Sequence, residues 1–572
     1  MRAIHLSLAF LTILASAEER TEHFDKDPGW DGLNNRSTIE MRAVIQDFGY
    51  VTLNQVADNN LAGAQKLPDG ASTEPAFRAQ LSYTVPAGID WREVKIIVID
   101  SSGHSNVLFQ RVAKAGHTIA APVTYTKSMI AEVYISDKLV RRIVYESDSP
   151  PRTENIPTGA IGGTITPDGH PAYYAKPIPE VTMDSSLSAS GTMTVKKGGG
   201  NILFGFFNSK TVNEWRTPNT LVFRIYGRGE TFHAHTEYTS SRWRATAGVI
   251  GRYDKEADRM HAVENPSDAT YTWSINYAPK GNDGTGTMTC TLNDLTAITN
   301  ISPELRKDGA TFDRFGLLTV VKHTDDPGEF YFHIDKINGE PVDLSKDPMW
   351  DAVGNKAKFL SDETRPRFNF GYSQTNFAGG EESGEFGGLF FRGDCRYPEK
   401  LAYYGAKVEP LTLAKPLRAS GKVVFKRGIS DSTTLLGFFH SEHSVRVHDS
   451  QKTGMPSDFA GFAIEGPSAQ GFYAYPCYRV HDGDSSSGYP ENMPRIYPDG
   501  APHTWKLAID PGTDGKVVMS FQLDDAPVTT LTIPAQQVSI GATFNRFGFV
   551  SPWIDGNGQH VYLDDITYTV KQ

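Results

Sequence analysis

Two histidines and a glutamate alternate along the stretch FHAHTEY. His233, His235 and Glu237 lie two residues apart, and residues two apart share one face of a β-strand. Imidazole and carboxylate groups in such a row could share a metal ion, transfer a proton in a lyase or serve as the acid of a hydrolase. These three side chains are therefore the candidate catalytic residues. A solvated strand face with Arg–Glu pairs is the competing interpretation.

Arginine and aromatic residues are concentrated around this row. Sugars are bound by flat ring faces together with many hydrogen-bond donors and acceptors. Arginine forks also match planar anions such as carboxylates and sulfates. The sequence therefore predicts a carbohydrate-binding surface and leaves open whether it is also catalytic. The candidate substrate-binding residues are Glu214, Trp215, Arg216, Asn219, Arg224, Tyr238, Arg242, Tyr473 and Tyr475.

The chain repeats itself, with seven related blocks in the same order. FDKDPGWDGLNNRS (24–37) resembles LSKDPMWDAVGNKA (344–357), and FHAHTEY (232–238) resembles FYAYPCY (472–478). This order predicts two copies of one domain of roughly 200 residues. Because the second copy has tyrosines where the first has histidines, the pattern favours a ring-bearing face over a fixed set of metal ligands.

Alternating apolar runs between turn signals predict an all-β protein, and no segment has a helical period. The first copy is interrupted by short β-branched runs that are typical of a small immunoglobulin-like or fibronectin-like sandwich. The predicted domains are a signal peptide over 1–17, a first sandwich over 24–62 and 156–343, the inserted domain over 72–150 and a second sandwich over 344–572.

The motifs DGAPHTWKLAIDP, VVMSFQLDD, FNRFGF and VYLDDITYT resemble, in this order, strands of the concanavalin A-like lectin and glucanase family. The resemblance implies two tandem jelly-roll sandwiches and a polysaccharide or glycan as partner. It implies either a glycoside hydrolase or polysaccharide lyase, or a non-catalytic glycan-binding or cell-surface structural protein. It also implies a structural calcium at Asp335 and Asp564, for which a turn cap is the alternative. The Glu-x-Asp-x-x-Glu strand of the glucanases is absent, so their two-carboxylate mechanism is not carried over.

Composition and the first residues bear on location and partners. The net charge is −11 without a basic run, which argues against nucleic acid as a partner. MRAIHLSLAFLTILASA has the pattern of a signal peptide cleaved near Ala17, which predicts a secreted, periplasmic or cell-surface protein. No later stretch is long and apolar enough to cross a membrane. Cys395 and Cys477 could form a disulfide or remain buried thiols, and the oligomeric state is not specified by the sequence.

A second histidine group occurs in GFFHSEHSVRVHD. His440, His443 and His448 fall within nine residues. The spacing suits a turn rather than one strand face, and loop histidines are more often simply exposed. The competing interpretations are a site for a ligand and an ordinary polar loop.

Overall fold

A computed structural model shows a chain built almost entirely of antiparallel β-strands, which confirms the predicted all-β class. The predicted signal peptide lies outside the described residues except for Ala17. No helix among the described residues has the length and apolar character needed to span a bilayer. The structure describes residues 17–37, 40–53, 65–66, 77–85, 92–114, 116–125, 128–135, 138–146, 149–154, 158–212, 215, 217–228, 231–242, 245–256, 259–261, 263–264, 270–451, 454–466, 471–487 and 493–572.

The elements follow in chain order. The first group is β1 (Glu18–Glu22), β2 (Asp31–Leu33), β3 (Arg42–Leu53), β4 (Gln65–Lys66), β5 (Phe77–Thr84), β6 (Arg92–Asp100), β7 (Ser105–Ala113), β8 (Thr118–Tyr125), β9 (Ser128–Ile135), β10 (Lys138–Glu146), β11 (Ser149–Glu154), β12 (Thr158–Ile165) and β13 (Tyr173–Thr182). The second group is β14 (Leu187–Lys197), β15 (Asn201–Phe207), β16 (Thr220–Arg228), β17 (Thr231–Thr239), β18 (Ala245–Ile250), β19 (Arg252–Asp254), β20 (Arg259–His261), β21 (Val263–Glu264), β22 (Thr270–Ala278), β23 (Thr287–Leu292), β24 (Leu295–Asn300), α1 (Pro303–Asp308), β25 (Thr311–Thr319), β26 (Gly328–Ile337), β27 (Glu340–Pro341), β28 (Asp351–Val353) and β29 (Lys356–Ser361). The third group is β30 (Phe368–Ser373), β31 (Glu385–Phe391), β32 (Tyr403–Thr412), β33 (Leu417–Gly428), β34 (Ser432–Phe439), β35 (Phe459–Gly466), β36 (Tyr473–Arg479), β37 (Ser485–Ser487), β38 (Pro502–Pro511), β39 (Val517–Leu523), β40 (Thr529–Ile533), α2 (Ala535–Ile540), β41 (Thr543–Val550) and β42 (Gly558–Lys571).

The first sandwich consists of two sheets packed over one core. Sheet I has the strand order β24-β23-β22-β14-β26-β12-β3-β29, and sheet II has the order β18-β17-β16-β15-β25-β13-β28. Residues along β14 and β22 alternate between buried and partly exposed, as expected for a sheet with one face on a core. Phe204 from sheet II stacks on Phe332 from sheet I, with ring centroids 4.0 Å apart. Both rings belong to the same buried cluster.

The second sandwich has the same construction. Sheet III has the order β30-β31-β42-β33-β38-β39-β40, and sheet IV has the order β2-β32-β41-β34-β35-β36-β37. Phe462 of sheet IV packs on Trp505 and Phe521 of sheet III, with centroids 4.9 and 4.7 Å apart. A separate buried cluster joins the sheets β4-β5-β8 and β11-β10-β9-β6-β7. Its strands cover most of the predicted insert, whose identity as an immunoglobulin-like domain stays a prediction.

The structure departs from the predicted domain bounds at the two related segments 24–37 and 344–357. β1 and β2 pair with β42 and β32 of the second sandwich, whereas β28 and β29 pair with β13 and β3 of the first. Phe24 accordingly lies in the second core and Leu344 in the first. The assignment of 24–37 to the first sandwich is therefore wrong, and so is the assignment of 344–361 to the second.

The two segments make equivalent contacts in the sandwiches that they complete. Asp31 forms an ion pair with Arg546 at 2.7 Å, and Asp351 forms one with Arg314 at 2.9 Å. The tryptophan of each segment packs beside a tyrosine: Trp30 beside Tyr404, at 5.7 Å, and Trp350 beside Tyr174, at 5.9 Å. Since the contacts match, chain connectivity decides which segment joins which sandwich. β28 and β29 follow β27 of the first sandwich after a short loop, and closing a short loop costs little entropy.

Candidate carbohydrate-binding face and its surroundings

The predicted row lies on the outer face of sheet II, opposite the core. β16 and β17 form a hairpin in which Arg224 faces His235 and Tyr226 faces His233. Phe232, between the row positions, is fully buried in the first core. The strand thus has the alternation that the sequence indicated, with rings and charges on one side and apolar side chains on the other.

Glu237 is held in an ion pair with Arg224. The guanidinium Nε lies 2.8 Å from a carboxylate oxygen, and the glutamate side chain is only 1% exposed. A buried ion pair of this kind resists removal of either partner, since the remaining charge would be left uncompensated. A hydrolytic acid must instead reach a substrate and carry a proton. The geometry therefore suits a positioning role for Glu237 better than the predicted role in acid catalysis.

Three rings lie parallel beside this ion pair. Tyr226 and His233 have centroids 4.8 Å apart with planes at 16°, and Tyr226 and His235 have centroids 5.5 Å apart with planes at 10°. The Arg224 guanidinium lies 5.4 Å from the Tyr226 ring centroid. Tyr226 and His233 are partly exposed, whereas His235 is buried. The reachable part of the row is therefore its Tyr226–His233 end.

The rest of this outer face is packed with apolar side chains. Tyr173, Leu203, Phe207 and Leu318 are buried there in one cluster with Val212, which lies in the loop between β15 and β16. The loop thereby closes part of the face. The described part of this surface can hold a ligand at its exposed end, where Tyr226 and His233 are reached by solvent.

The second sandwich has a related arrangement at its outer face. Arg392 forms an ion pair with Glu465 at 2.7 Å, and the hydroxyl of Tyr475 donates to the same glutamate. Tyr473 is covered by Arg495, whose guanidinium lies 4.7 Å from the ring centroid. Both tyrosines, which were predicted to bind substrate, are buried. Their role as ligand contacts stays a prediction, and Glu465, which the sequence reasoning missed, lies at the centre of the cluster.

Three of the predicted binding residues have structural contacts instead. Trp215 is 1% exposed and belongs to the core cluster of the second sandwich. Tyr238 is fully buried in the first core, with its hydroxyl 2.8 Å from the sulfur of Met183. Asn219 is buried and accepts a hydrogen bond from the backbone N–H of Thr311. The structure therefore corrects the prediction that these side chains face a ligand, because the surrounding loops and the second sandwich cover them.

The remaining predicted residues are divided between the surface and undescribed parts of the chain. Arg242 is exposed, with its guanidinium 3.9 Å from the Tyr497 ring centroid and 3.7 Å from Asp499. Glu214 and Arg216 lie outside the described residues. Arg242 is therefore the described member of the arginine group that solvent reaches most readily.

A cavity of about 470 Å³ lies on the outer face of sheet III, where no sequence motif indicated one. Its lining includes the small side chains of Ser420, Ala508 and Ser520 and the charged side chains of Arg418, Lys506 and Glu19. Small side chains on adjacent strands leave this hollow because their larger neighbours project beside them. The aromatic residue of its lining, Phe521, is fully buried in the core. The cavity therefore has both basic and acidic side chains in a largely apolar lining, and its described residues present no exposed ring on which a sugar could stack.

The two predicted calcium ligands have different surroundings. Asp564 is fully buried, and its Oδ2 atom accepts no hydrogen bond from the described residues. Burial, with further contributions from the negative charges of Asp565 and then Glu385, raises the pKa of Asp564 to about 7. Asp335 is instead about half exposed and lies 3.5 Å from His333. The unpartnered oxygen of Asp564 is of the kind that calcium prefers. A structural calcium at Asp335 and Asp564 stays a prediction.

The cysteines are buried free thiols in this structure. Cys290, Cys395 and Cys477 form no disulfide. Burial raises the pKa of the Cys290 and Cys477 thiols well above the ordinary value. Cys477 packs in the outer-face cluster of the second sandwich, so it fills space there as a small apolar side chain.

Comparisons with known proteins give structural neighbours but no family. No protein-family model matches the chain, and no curated protein matches it. The carbohydrate recognition domain of Emp47p is 9% identical over 36% of this chain and 89% of its own, with a TM-score of 0.24. Domains LG4-5 of the mouse laminin α1 chain are 11% identical over 71% of this chain and 89% of theirs, with a TM-score of 0.20. The tail fibre protein gp63.1 of an E. coli phage is 7% identical over 51% of this chain and 40% of its own, with a TM-score of 0.15. Identities and scores in this range assign no function to the chain.

Proposed function

We propose that the protein is an exported, concanavalin A-like glycan-binding protein whose ligand surface is the outer face of sheet II. The observation that carries this proposal is the set of parallel rings of Tyr226, His233 and His235 beside Arg224. Ring faces and edges with an adjacent guanidinium supply the stacking and hydrogen-bonding groups that sugars require. The ligand is a polysaccharide or glycan that contacts the exposed Tyr226–His233 end.

Binding is favoured over bond cleavage by the state of the charged groups. Glu237 is buried in its ion pair with Arg224, and the apolar cluster and the β15–β16 loop close the adjoining surface. A general acid or base must come within hydrogen-bonding distance of the reacting atom. His235 is buried and Glu237 is paired, so of the three candidate catalytic residues His233 alone lies where a substrate could reach it.

The proposal is tested with the purified mature protein and a panel of acidic and neutral polysaccharides. Affinity electrophoresis and calorimetry measure binding, while absorbance of unsaturated products and a reducing-end assay measure cleavage. We expect binding without product. Replacing Tyr226 or His233 by alanine should weaken binding about fivefold to tenfold, because an aromatic contact contributes about 1 kcal/mol.

Lys506→Ala is the matched control, since this residue borders the cavity on sheet III and lies on the other sandwich. It should bind as the unchanged protein does. A loss of binding in the control alone would move the ligand surface to sheet III. Product formation that disappears in His235→Ala would overturn the non-catalytic proposal, and no binding to any polysaccharide would remove the glycan as partner.

Export is tested independently of binding. The apolar start of the chain and the small residues before Ala17 support cleavage there. Mass spectrometry of the protein recovered from the medium, the periplasm or the cell surface should give an amino terminus near Glu18. An intact amino terminus on protein found only inside the cell would contradict export.

A further inference from the structure

We infer that the second sandwich binds a divalent transition-metal ion of the Zn²⁺ type through His443, Asp458 and His481, here called the rim cluster. His443 lies in the loop after β34, Asp458 immediately precedes β35, and His481 follows β36. These strands are neighbours in sheet IV, in the order β34-β35-β36. The topology therefore brings together three side chains that are up to 38 positions apart in the sequence.

The potential ligand atoms are already close to one another. Nδ1 of His443 lies 2.6 Å from Oδ2 of Asp458, and Nδ1 of His481 lies 3.7 Å from the same oxygen. One ligand atom from each residue lies within 4.8 Å of the others. Ligands at about 2.0 Å from a tetrahedral ion are about 3.3 Å apart. Small side-chain rotations would therefore produce a coordination sphere.

The backbone presents the carboxylate to this point. Asp458 and His481 both have left-handed φ angles, of 47° and 43°, which are uncommon for residues other than glycine. The His481 N–H donates to Oδ1 of Asp458 at 2.7 Å. The other oxygen, Oδ2, remains directed to the two imidazoles. Asp458 is thus fixed in orientation by a contact that leaves one oxygen for the ion.

Access and charge around the rim cluster are compatible with a bound ion. Asp458 is 2% exposed, whereas the histidine side chains are 36% and 44% exposed, so an ion and a water ligand can reach the site. Nε2 of His481 lies 3.8 Å from Asp482, and a carboxylate behind a ligating imidazole is a frequent outer partner in metal sites. Arg446 is paired with Asp482, so its positive charge is already compensated.

A third imidazole packs against the cluster without joining it. The ring of His440 stacks on His443 with centroids 3.9 Å apart. Its Nδ1 accepts hydrogen bonds from the backbone N–H groups of Glu442 and His443. This ring is therefore fixed by the backbone and packs as a wall against the His443 imidazole.

The first sandwich shows what the fold has at these positions without metal ligands. Strand pairing aligns His443, Asp458 and His481 with Thr211, Asn219 and Ser241. Asn219 keeps the left-handed backbone, with φ of 58°, and its amide lies 3.4 Å from the Thr211 hydroxyl. In the first sandwich, neutral side chains therefore occupy the positions of the rim cluster. Two imidazoles and a carboxylate are therefore not needed to form this part of the sandwich.

The donor set selects the class of ion. Two imidazole nitrogens and one carboxylate oxygen match Zn²⁺ and neighbouring ions such as Co²⁺, whereas Ca²⁺ and Mg²⁺ prefer oxygen ligands alone. Three protein ligands leave at least one position for water. Of the described residues that could supply three such ligands at one point, these are the ones that meet.

The test uses the full-length mature protein, stripped with a chelator and titrated with ZnCl₂ by calorimetry and with CoCl₂ by visible absorption. We expect one equivalent of each ion and a cobalt spectrum of a four- or five-coordinate site. Asp458→Asn, His443→Thr and His481→Ser introduce the residues of the first sandwich, so the metal-free chain should keep its circular dichroism and melting temperature. Each variant should lose measurable binding of the ion, and Asp482→Asn should weaken it about tenfold.

His503→Asn is the control, because it removes a His–Asp pair of similar length, 2.7 Å to Asp524, that belongs to no group of three ligands among the described residues. It should retain one equivalent. Absence of saturable binding, or binding that persists in a chain carrying all three rim substitutions, would overturn the inference. Loss of glycan binding has no bearing on this result, since the sites lie on different sandwiches.

Discussion

The indole of Trp215 stands edge-on against the imidazole of His560, with ring centroids 5.4 Å apart and planes at 88°. Trp215 comes from the loop between β15 and β16, whereas His560 lies on β42. The guanidinium of Arg427 lies 4.2 Å from the same indole. Because Trp215 belongs to the second core cluster, this contact joins the two sandwiches through a side chain of the first.

The contact predicts a dependence of stability on pH. Burial, followed by the charge of Arg427, lowers the pKa of His560 to about 4 from its ordinary value near 6.5. The His560 imidazole is neutral in the folded protein. Its contribution to the free energy of unfolding is therefore complete above pH 6.5 and is lost as the pH falls towards 4. We expect the free energy of unfolding to fall by roughly 2 kcal/mol from this group. Denaturant curves at several pH values measure it.

His560→Gln is the comparison for that experiment, because the amide does not titrate. The difference in unfolding free energy between the two proteins should change across this pH window and stay constant above it. Burial also lowers the pKa of His323 to about 4. Because His323 is present in both proteins, its contribution cancels from the difference in unfolding free energy. A difference that does not vary with pH would contradict the assignment.

The amino-terminal segment predicts a long-range effect on stability. Phe24→Ala should destabilise the second sandwich by about 3 kcal/mol or more, since the ring is buried in that core. Hydrogen exchange should rise in β32 and β42, which are the partners of β2 and β1. Leu344→Ala is the matched variant and should raise exchange in β3 and β13. Exchange that rises in β3 after Phe24→Ala would show that 24–37 joins the first sandwich.

The Arg224–Glu237 ion pair predicts that substitutions of the two residues have non-additive effects on the free energy of unfolding. Glu237→Gln removes the charged partner of the Arg224 guanidinium and should cost about 3 kcal/mol, since the glutamate side chain is 1% exposed. Arg224→Met with Glu237→Leu removes both charges and should cost less than the single change. Urea unfolding of Arg224→Met, of Glu237→Leu and of the double variant completes the double-mutant cycle and gives the coupling energy. Strictly additive costs would mean that the pair makes no net interaction.

The buried carboxylate predicts a selective effect of calcium. Calcium should raise the melting temperature of the unchanged protein, because the partnerless Oδ2 of Asp564 gains a ligand. Asp564→Asn should remove this effect, and Asp335→Asn, at a half-exposed position, should not. Thermal melting in calcium and in a calcium chelator measures both. Equal calcium effects in the two variants would place the ion elsewhere.

The sequence predicted local features well, because they depend on local spacing. The alternation along β17 placed His233 and His235 on one face opposite Phe232. The burial of Trp215 could not be predicted from local spacing, since an exposed loop tryptophan and an interface tryptophan can have the same neighbours in sequence. Its partners Arg427 and His560 are more than 200 residues away.

The internal repeat was predictable from the sequence, but the sandwich that each repeated segment joins was not. The similarity of 24–37 and 344–357 was visible in the sequence, but two segments with the same contacts fit either sandwich. Their assignment depends on chain connectivity and on which edge is vacant. The rim cluster was seen only through His443, because Asp458 and His481 come from separate turns that sheet IV brings together.

Because residues 24–37 join the second sandwich and residues 344–357 join the first, the order in which the chain is synthesised affects how it folds. Residues 18–37 leave the ribosome long before their partners β32 and β42. Meanwhile the edge of β13, which β28 later occupies, is open to the related early segment. Chains are synthesised at about 5 to 20 residues per second, and domains fold as units while synthesis continues. A pause before residue 351 would prolong this competition, so the rate of elongation influences which of the two segments takes the edge.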